Sequence, residues 1–411
     1  MAQTSTSEIS GLVKRVYQGY VETQQNLKHH TIDGIAKGLE KFGPRGAGAY
    51  LNIRDYGNES VGALNEAEQF RTIDSEHYQQ PVVLPKVNAA PIQFTGLVSK
   101  AADGDVASFA DAVVDALDTA RERLLKDENR QFFGLGTGVL ASPNAAIASN
   151  LLSFTVDSAQ YLRANMVIDI FTSAGGAAVS TSVASLRIAD VDKANNLVYF
   201  ATSVQFSLAT TNVIGKEKIF DSMPTDGKEM MGLRGIVDDS TDLTTFEGLN
   251  ATTVGNIIWR SRRINASSAS LTSDLLQRLI DDVRVLCGEE PDTILMHPAQ
   301  RRKYLDLVLP QRRFADGNMD AGHKKLTFNG MELILDEDCQ VGTVYAIDKK
   351  SIRKYELAPM EMGSHDGSDD FLRIANYDVF QAYWRHYCNF GTSRRNAHGK
   401  IVSLATPTAV A

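Results

Sequence analysis

The feature that most limits how this chain can fold is a run of about 29 residues, Asp105 to Phe133, that reads as one unbroken helix. Val106, Ala110, Val113, Leu117, Ala120 and Leu124 follow one another at intervals of 4, 3, 4, 3 and 4, which lays a single apolar stripe along one helix face. Asp103 and Asp105 are candidate N-caps. Asp111, Asp115 and Asp118 occupy the first half, and Arg121, Arg123, Lys126 and Arg130 the second, so the charges follow the helix dipole. At ~1.5 Å per residue the helix is roughly 43 Å long, more than a typical globular helix, and is expected to serve as a spine.

What precedes the spine cannot fold alone. Residues 1–42 are polar and Gln-rich, with too few apolar positions for a core, and read as an arm. From Gly43 to Lys100 the sequence is strand-like, with Pro81, Pro85 and Pro91 close together. Proline lacks the N–H that a central strand donates, so this stretch is expected to be an edge strand or a long extended hairpin needing a partner to lie on.

After the spine, Gly134-Leu135-Gly136-Thr137-Gly138 has the residue types of a phosphate loop. It follows a helix instead of opening one, and no Gly-Lys-Ser/Thr is present, so it reads as a helix-terminating turn. Short Val/Ile/Phe runs separated by Gly175-Gly176 and Asn195-Asn196 over residues 151–221 predict a β-barrel or sandwich. From Leu271 the pattern is helical, with Thr272 or Ser273 as N-cap, Leu275, Leu276, Leu279, Ile280, Val283 and Leu286 as the buried face and Gly288 as the stop. Thr293–Met296 reads as a buried strand, Pro298 as the start of another helix, and Phe328-Asn329-Gly330-Met331 as a tight hairpin turn. Val344–Ile347 and the aromatic run Tyr377–Phe390 read as closing strands.

Composition excludes several classes. Forty-two Lys+Arg against 50 Asp+Glu give a formal net charge of −8, which disfavours a chain whose main task is to grip DNA or an anionic membrane. Cys287, Cys339 and Cys388 are odd in number and far apart, so no disulfide framework is read and a reducing compartment is expected. The opening residues lack the pattern of a signal peptide. No stretch approaches the ~18 apolar residues of a membrane span, so a soluble chain is expected.

Catalytic constellations are missing from the pattern. The eight histidines include no HExxH and no zinc-finger spacing. His386-Tyr387-Cys388 puts two ligand types on one strand face, but nothing completes the site, so it reads as core packing. His297, before Pro298, reads as a partly buried turn-capping residue. Ser364–Asp370 reads as a solvated loop, Asp336-Glu337-Asp338 as a charged strand end, and Arg301-Arg302-Lys303 and Arg312-Arg313 as small basic clusters. No catalytic, cofactor or metal residue is assigned, and no enzymatic activity is expected.

The order of parts, together with Gly43–Lys100, Asp105–Phe133, Gly134–Gly138, Met230-Met231-Gly232-Leu233, Phe246-Glu247-Gly248-Leu249, Trp259, Met296-His297-Pro298 and Phe328–Leu333, resembles the HK97-like major capsid proteins of tailed bacteriophages. The resemblance implies an α+β fold with an N-terminal arm (1–42), an E-loop (43–100), a peripheral domain with the spine helix (101–150), a β-rich insertion (151–221), an axial domain (222–365) and C-terminal strands (366–411). It implies a subunit that assembles as hexamers and pentamers into an icosahedral shell around double-stranded DNA, in the host cytoplasm and then in the virion. Expected partners are other copies of the chain, a portal protein, a separate scaffolding protein if one is used, decoration proteins and non-specifically contacted DNA; no membrane is expected. Expected assembly contacts are Arg45, Arg54, Arg71, Val82, Leu84, Ile92, Phe94, Leu117, Arg121 and Arg123. The same fold in an encapsulin is the near alternative, a tail or baseplate structural protein a further one, and a soluble α/β hydrolase the alternative of another class. One branch of the family cross-links an E-loop lysine to an asparagine. Here Lys86 is the one lysine between Gly43 and Ala90, and it reads as a solvated lysine on an edge strand, with Asn389 or Asn396 acceptors by residue type only, so no covalent cross-link is expected.

Overall fold

The computed structural model describes residues 39–42, 48–96, 106–146, 151–176, 179, 185–204, 208–312, 326–362, 372–374 and 376–405. Most of the expected arm, Arg45, Arg313, the Ser364–Asp370 loop and the caps Asp103 and Asp105 lie outside them, and the side chains of Val106, Ala110 and Val113 are likewise not described.

Strand β1 (Leu39–Lys41) is followed by β2 (Ala49–Tyr50), β3 (Ile53–Tyr56), β4 (His77–Gln79), β5 (Val82–Val83) and β6 (Lys86–Thr95). β2 pairs antiparallel with β5, and β3 with β4, giving one long hairpin whose end is residues 57–76. Helix α1 runs Val106–Phe132, close to the span read from its periodicity. It stops where expected: Gly134 N–H donates to the Gln131 carbonyl at 2.8 Å, and Gly136 and Gly138 follow at φ +79° and +76°. Glycine is also needed opposite, because a Cβ on Gly227 would overlap the Gly136 carbonyl oxygen.

Next come β7 (Val139–Ala141), β8 (Leu151–Thr155), β9 (Val167–Phe171), β10 (Leu186–Asp192), β11 (Leu197–Val204) and β12 (Val213–Lys216). They form one sheet in the order β7-β12-β9-β10-β11-β8. A bridge between Pro143 and Val156, with Asp157 N–H donating to the Ser142 carbonyl at 2.8 Å, brings the end of β8 back beside β7 and closes the sheet into a barrel. Phe154, Ile168, Ile170, Ile188, Val198, Phe200 and Ile214 fill it.

The chain continues through α2 (Leu233–Ile236), β13 (Thr245–Phe246), β14 (Leu249–Asn250), β15 (Arg262–Asn265), α3 (Ser273–Cys287), β16 (Thr293–Met296), α4 (Pro298–Arg312), β17 (Leu326–Phe328), β18 (Met331–Leu335) and β19 (Val344–Ile347). It ends with β20 (Ile352–Met362), β21 (Leu372–Arg373), β22 (Val379–Thr392) and β23 (Gly399–Val402). A mixed sheet, β15-β23-β19-β16-β18-β17, packs on α3. Thr272 caps α3 by accepting from Leu275 N–H at 3.2 Å, and Gly288 ends it at φ +78°. Leu276, Leu279, Ile280 and Val283 are buried, but Leu286 is 49% exposed, because the last turn overruns the sheet that the rest of the face covers. Asn329 and Gly330, at φ +50° and +82°, make the tight turn between β17 and β18.

A second sheet, β1-β20-β22-β21 with β6 on the other side of β22, carries the hairpin's base. β6 pairs with β22 from Lys86 opposite Cys388 to Thr95 opposite Val379, and Pro91 sits in it without conflict because β6 is an edge strand. Phe132, Phe133, Met230, Phe246, Trp259, Tyr345, Ile352 and Phe390 form the core where helix and sheets meet.

Candidate assembly surfaces

The hairpin is fastened at its base. Lys86, expected to be solvated, is only 8% exposed. Its ammonium donates to Asp226 Oδ2 at 2.5 Å and to the Gly227 carbonyl at 2.6 Å, partners 140 and 141 residues away that local sequence does not reveal. Asn389 is also committed: its Oδ1 accepts from Met231 N–H at 2.9 Å and its Nδ2 donates to the Leu84 carbonyl at 2.7 Å. Val82 N–H donates to the Glu247 carbonyl at 2.9 Å.

Beyond that base the hairpin has no core. Residues 57–76 are held by local polar contacts such as Asp74 N–H to Ser60 Oγ at 2.7 Å and Asn65 N–H to Glu68 Oε2 at 2.8 Å. Val61, Phe70 and Ile73 are 85%, 85% and 86% exposed, and Tyr50, Tyr56, Tyr78, Leu84 and Val87 are exposed as well. So many large apolar side chains on the hairpin and its base make this a candidate interaction surface.

The sequence-derived contact residues fall in two places. Arg54 is exposed and pairs with Glu76 at 3.3 Å across the hairpin, and Arg71 is exposed near its end. Val82 and Ile92 are half-buried, and Phe94 stacks on Phe380 with ring centroids 5.7 Å apart, so the last two help fix β6 to β22. On α1, Leu117 is half-buried and its carbonyl accepts from the Trp384 indole N–H at 3.0 Å. Arg121 is exposed and lies 5.9 Å over the Trp384 ring, and Arg123 is exposed beside it.

Farther along α1, Lys126 and Arg130 are buried in ion pairs, whereas Arg121 and Arg123 stay exposed. Lys126 meets Asp338 at 2.9 Å, Arg130 meets Asp127 at 2.9 Å and also Glu229, and Asn129 donates to Asp336 and Asp338. Asp336 and Asp338, read as part of a charged strand end, are buried against these partners. Burial pushes the Asp127 carboxyl up, but Arg130 and Lys216 outweigh it and hold it far below its usual range.

Two further apolar exposures went unread in the sequence. Val254 is 91% exposed, with Ile257 and Ile258 beside it, and Val285 joins Leu286 at the end of α3. Val285 is an apolar residue on the polar side of its helix, which is the signal that could have found it. His297 behaves as a turn residue: its Nδ1 accepts from Ala299 N–H at 3.1 Å, and burial lowers its pKa. Among the described residues no helix is long and apolar enough to cross a membrane.

No protein-family model matches the chain, and no curated protein matches its sequence. Among solved structures it is similar to the capsid asymmetric unit of cyanophage A-1(L), at 9% identity and a TM-score of 0.61, over 98% of this chain and 100% of that one. It is also similar to the capsid of Myoviridae phage XM1 (8% identity, TM-score 0.47, 95% and 97% covered) and to the holo-SrpI encapsulin of Synechococcus elongatus PCC 7942 (10% identity, TM-score 0.42, 98% and 96% covered). The last two superpose too loosely to bear on the argument. The first shows the fold: a mixed α+β HK97-like capsid architecture over the whole chain.

Proposed function

We propose that this chain is a major capsid protein, a structural and non-catalytic subunit that self-assembles as hexamers and pentamers into the icosahedral shell of a tailed phage. The observation that carries the reading is the hairpin, anchored at Lys86 and Asn389 yet exposing Val61, Phe70 and Ile73 on a capsid fold. Burying those side chains on a neighbouring copy's spine converts apolar exposure into contact energy repeated over every subunit. The proposed contacts on the receiving side include Leu117, Arg121 and Arg123, and on the giving side Arg45, Arg54, Arg71, Val82 and Leu84; Ile92 and Phe94 hold the hairpin's root.

The formal charge of −8 suits a container for packed double-stranded DNA, since a wall that gripped phosphates would impede entry and ejection. A portal, a separate scaffolding protein and decoration proteins are the other proposed partners, with assembly in the host cytoplasm and residence in the virion. Electron microscopy and nuclease protection on particles containing the chain test this. Closed shells protecting DNA are expected; shells filled with protein cargo would support an encapsulin, and a stable monomer that turns over substrate would remove the reading.

A further inference from the structure

We propose that Glu128, His386 and Cys388 form a buried structural metal site of the zinc class, with the Met230 thioether beside it, pinning the spine helix to strand β22. Glu128 belongs to α1 and His386 and Cys388 to β22, and each is almost fully enclosed. His386 and Cys388 are two residues apart on a strand, so both point to the same face, which here is the face that α1 covers. Their ligand atoms and that of Glu128 lie within 4.8 Å of one another.

The Cys388–His386 spacing suits a tetrahedral ion: Sγ lies 3.3 Å from Nδ1, and ligands at zinc–nitrogen and zinc–sulfur bond lengths sit about 3.3–3.7 Å apart. Met230 Sδ, 3.2 Å from Cys388 Sγ, is nearer than two sulfurs on one zinc and lies beside the site, not among its ligands. Glu128 Oε1, 2.7 Å from Nδ1, has to open by about 0.6 Å to join them. Asn88 Nδ2 approaches the same oxygen at 3.5 Å.

The surroundings supply what a ligating histidine needs. Its other nitrogen, Nε2, is 2.5 Å from Glu356 Oε1, which can accept the Nε2–H hydrogen bond and so favour the tautomer whose Nδ1 lone pair faces Glu128 and Cys388. A carboxylate behind the imidazole is the usual support of a metal-bound histidine. Charge also favours a cation. Glu128 and Glu356 bring two carboxylates to His386, and the ammonium of Lys354 lies 3.8 Å from Glu356; a divalent ion held by imidazole, carboxylate and thiolate would add positive charge to this enclosed cluster.

Because the ligands are enclosed, the ion enters as the chain folds. The test uses tag-free full chain produced in zinc-supplemented and, separately, cobalt-supplemented minimal medium. Expected are about one zinc per chain after dialysis against chelator and, for cobalt, visible bands of tetrahedral intensity with a near-ultraviolet thiolate-to-cobalt band. Cys388→Ser should abolish that band and the retained zinc, whereas Cys339→Ser and Cys287→Ser should keep both. If Cys388→Ser does not fold, the wild-type cobalt spectrum decides. A metal-free wild type, a cobalt spectrum without thiolate character, or metal lost equally in Cys287→Ser would overturn the proposal.

Discussion

Replacing Phe70 and Ile73 together by serine separates folding from assembly. Both side chains are about 85% exposed within the chain. Fully burying a residue of this kind is worth about 1.5–3 kcal/mol, so covering the exposed part of both on a neighbour contributes about 2.5–5 kcal/mol per contact. At ~1.4 kcal/mol per tenfold, the concentration needed for assembly should rise by about 10²-fold to more than 10³-fold. The chain's own stability should change by no more than about 0.5 kcal/mol, because the substituted atoms touch almost nothing in it. Sedimentation or light scattering against concentration gives the first quantity, and denaturant unfolding under non-assembling conditions gives the second. Assembly at the wild-type threshold would refute the role given to the hairpin, and a large drop in unfolding midpoint would place these residues in a core that the structure does not contain.

Leu124→Asp should cost several kcal/mol of stability, since Leu124 is buried, whereas Leu117→Asp should be milder because Leu117 is only half-buried; the reverse order in denaturant melts would put the helix in the wrong register. Two buried groups set opposite pH slopes. Burial raises Glu247 to about 8, against the Thr392 N–H and Arg395, so its stabilising effect is whole below its ordinary 4.5 and is lost as pH rises through 8; Glu247→Gln should flatten that loss, on the order of a few kcal/mol. Burial lowers His398 to about 4, so its effect is whole above its ordinary 6.5 and is lost as pH falls toward 4; His398→Gln should remove the acid slope in pH-dependent melts. Mature particles boiled in SDS with reductant should run as one band near 44.9 kDa, because Lys86 and Asn389 are both engaged within the chain; a ladder of multimers would contradict this.

Local chemistry made much of the fold legible. The 3.6-residue period marked α1 and α3, Asn329-Gly330 marked a turn, and the prolines marked β6 as an edge. What escaped depended on partners far along the chain. Nothing near Lys86, Lys126 or Arg130 announces Asp226, Asp338 and Glu229, so Lys86 was expected in solvent and the buried pairs of Lys126 and Arg130 were not read. The same holds for Glu128, which completes a cluster with His386, 258 positions later, and Cys388. β7 was missed because three residues carry no readable period. The hairpin's assembly role was legible only as a shortage of core; its exposed apolar side chains became visible once its strands were placed.

The most direct test of the central claim is cryo-electron microscopy of the full chain expressed with the structural partners it requires. Closed icosahedral shells are expected, in which residues 57–76 of each copy lie against the spine helix of a neighbour, with Phe70 and Ile73 buried in that contact. Shells in which this segment points into solvent, or a preparation that remains monomeric at every concentration tested, would contradict it.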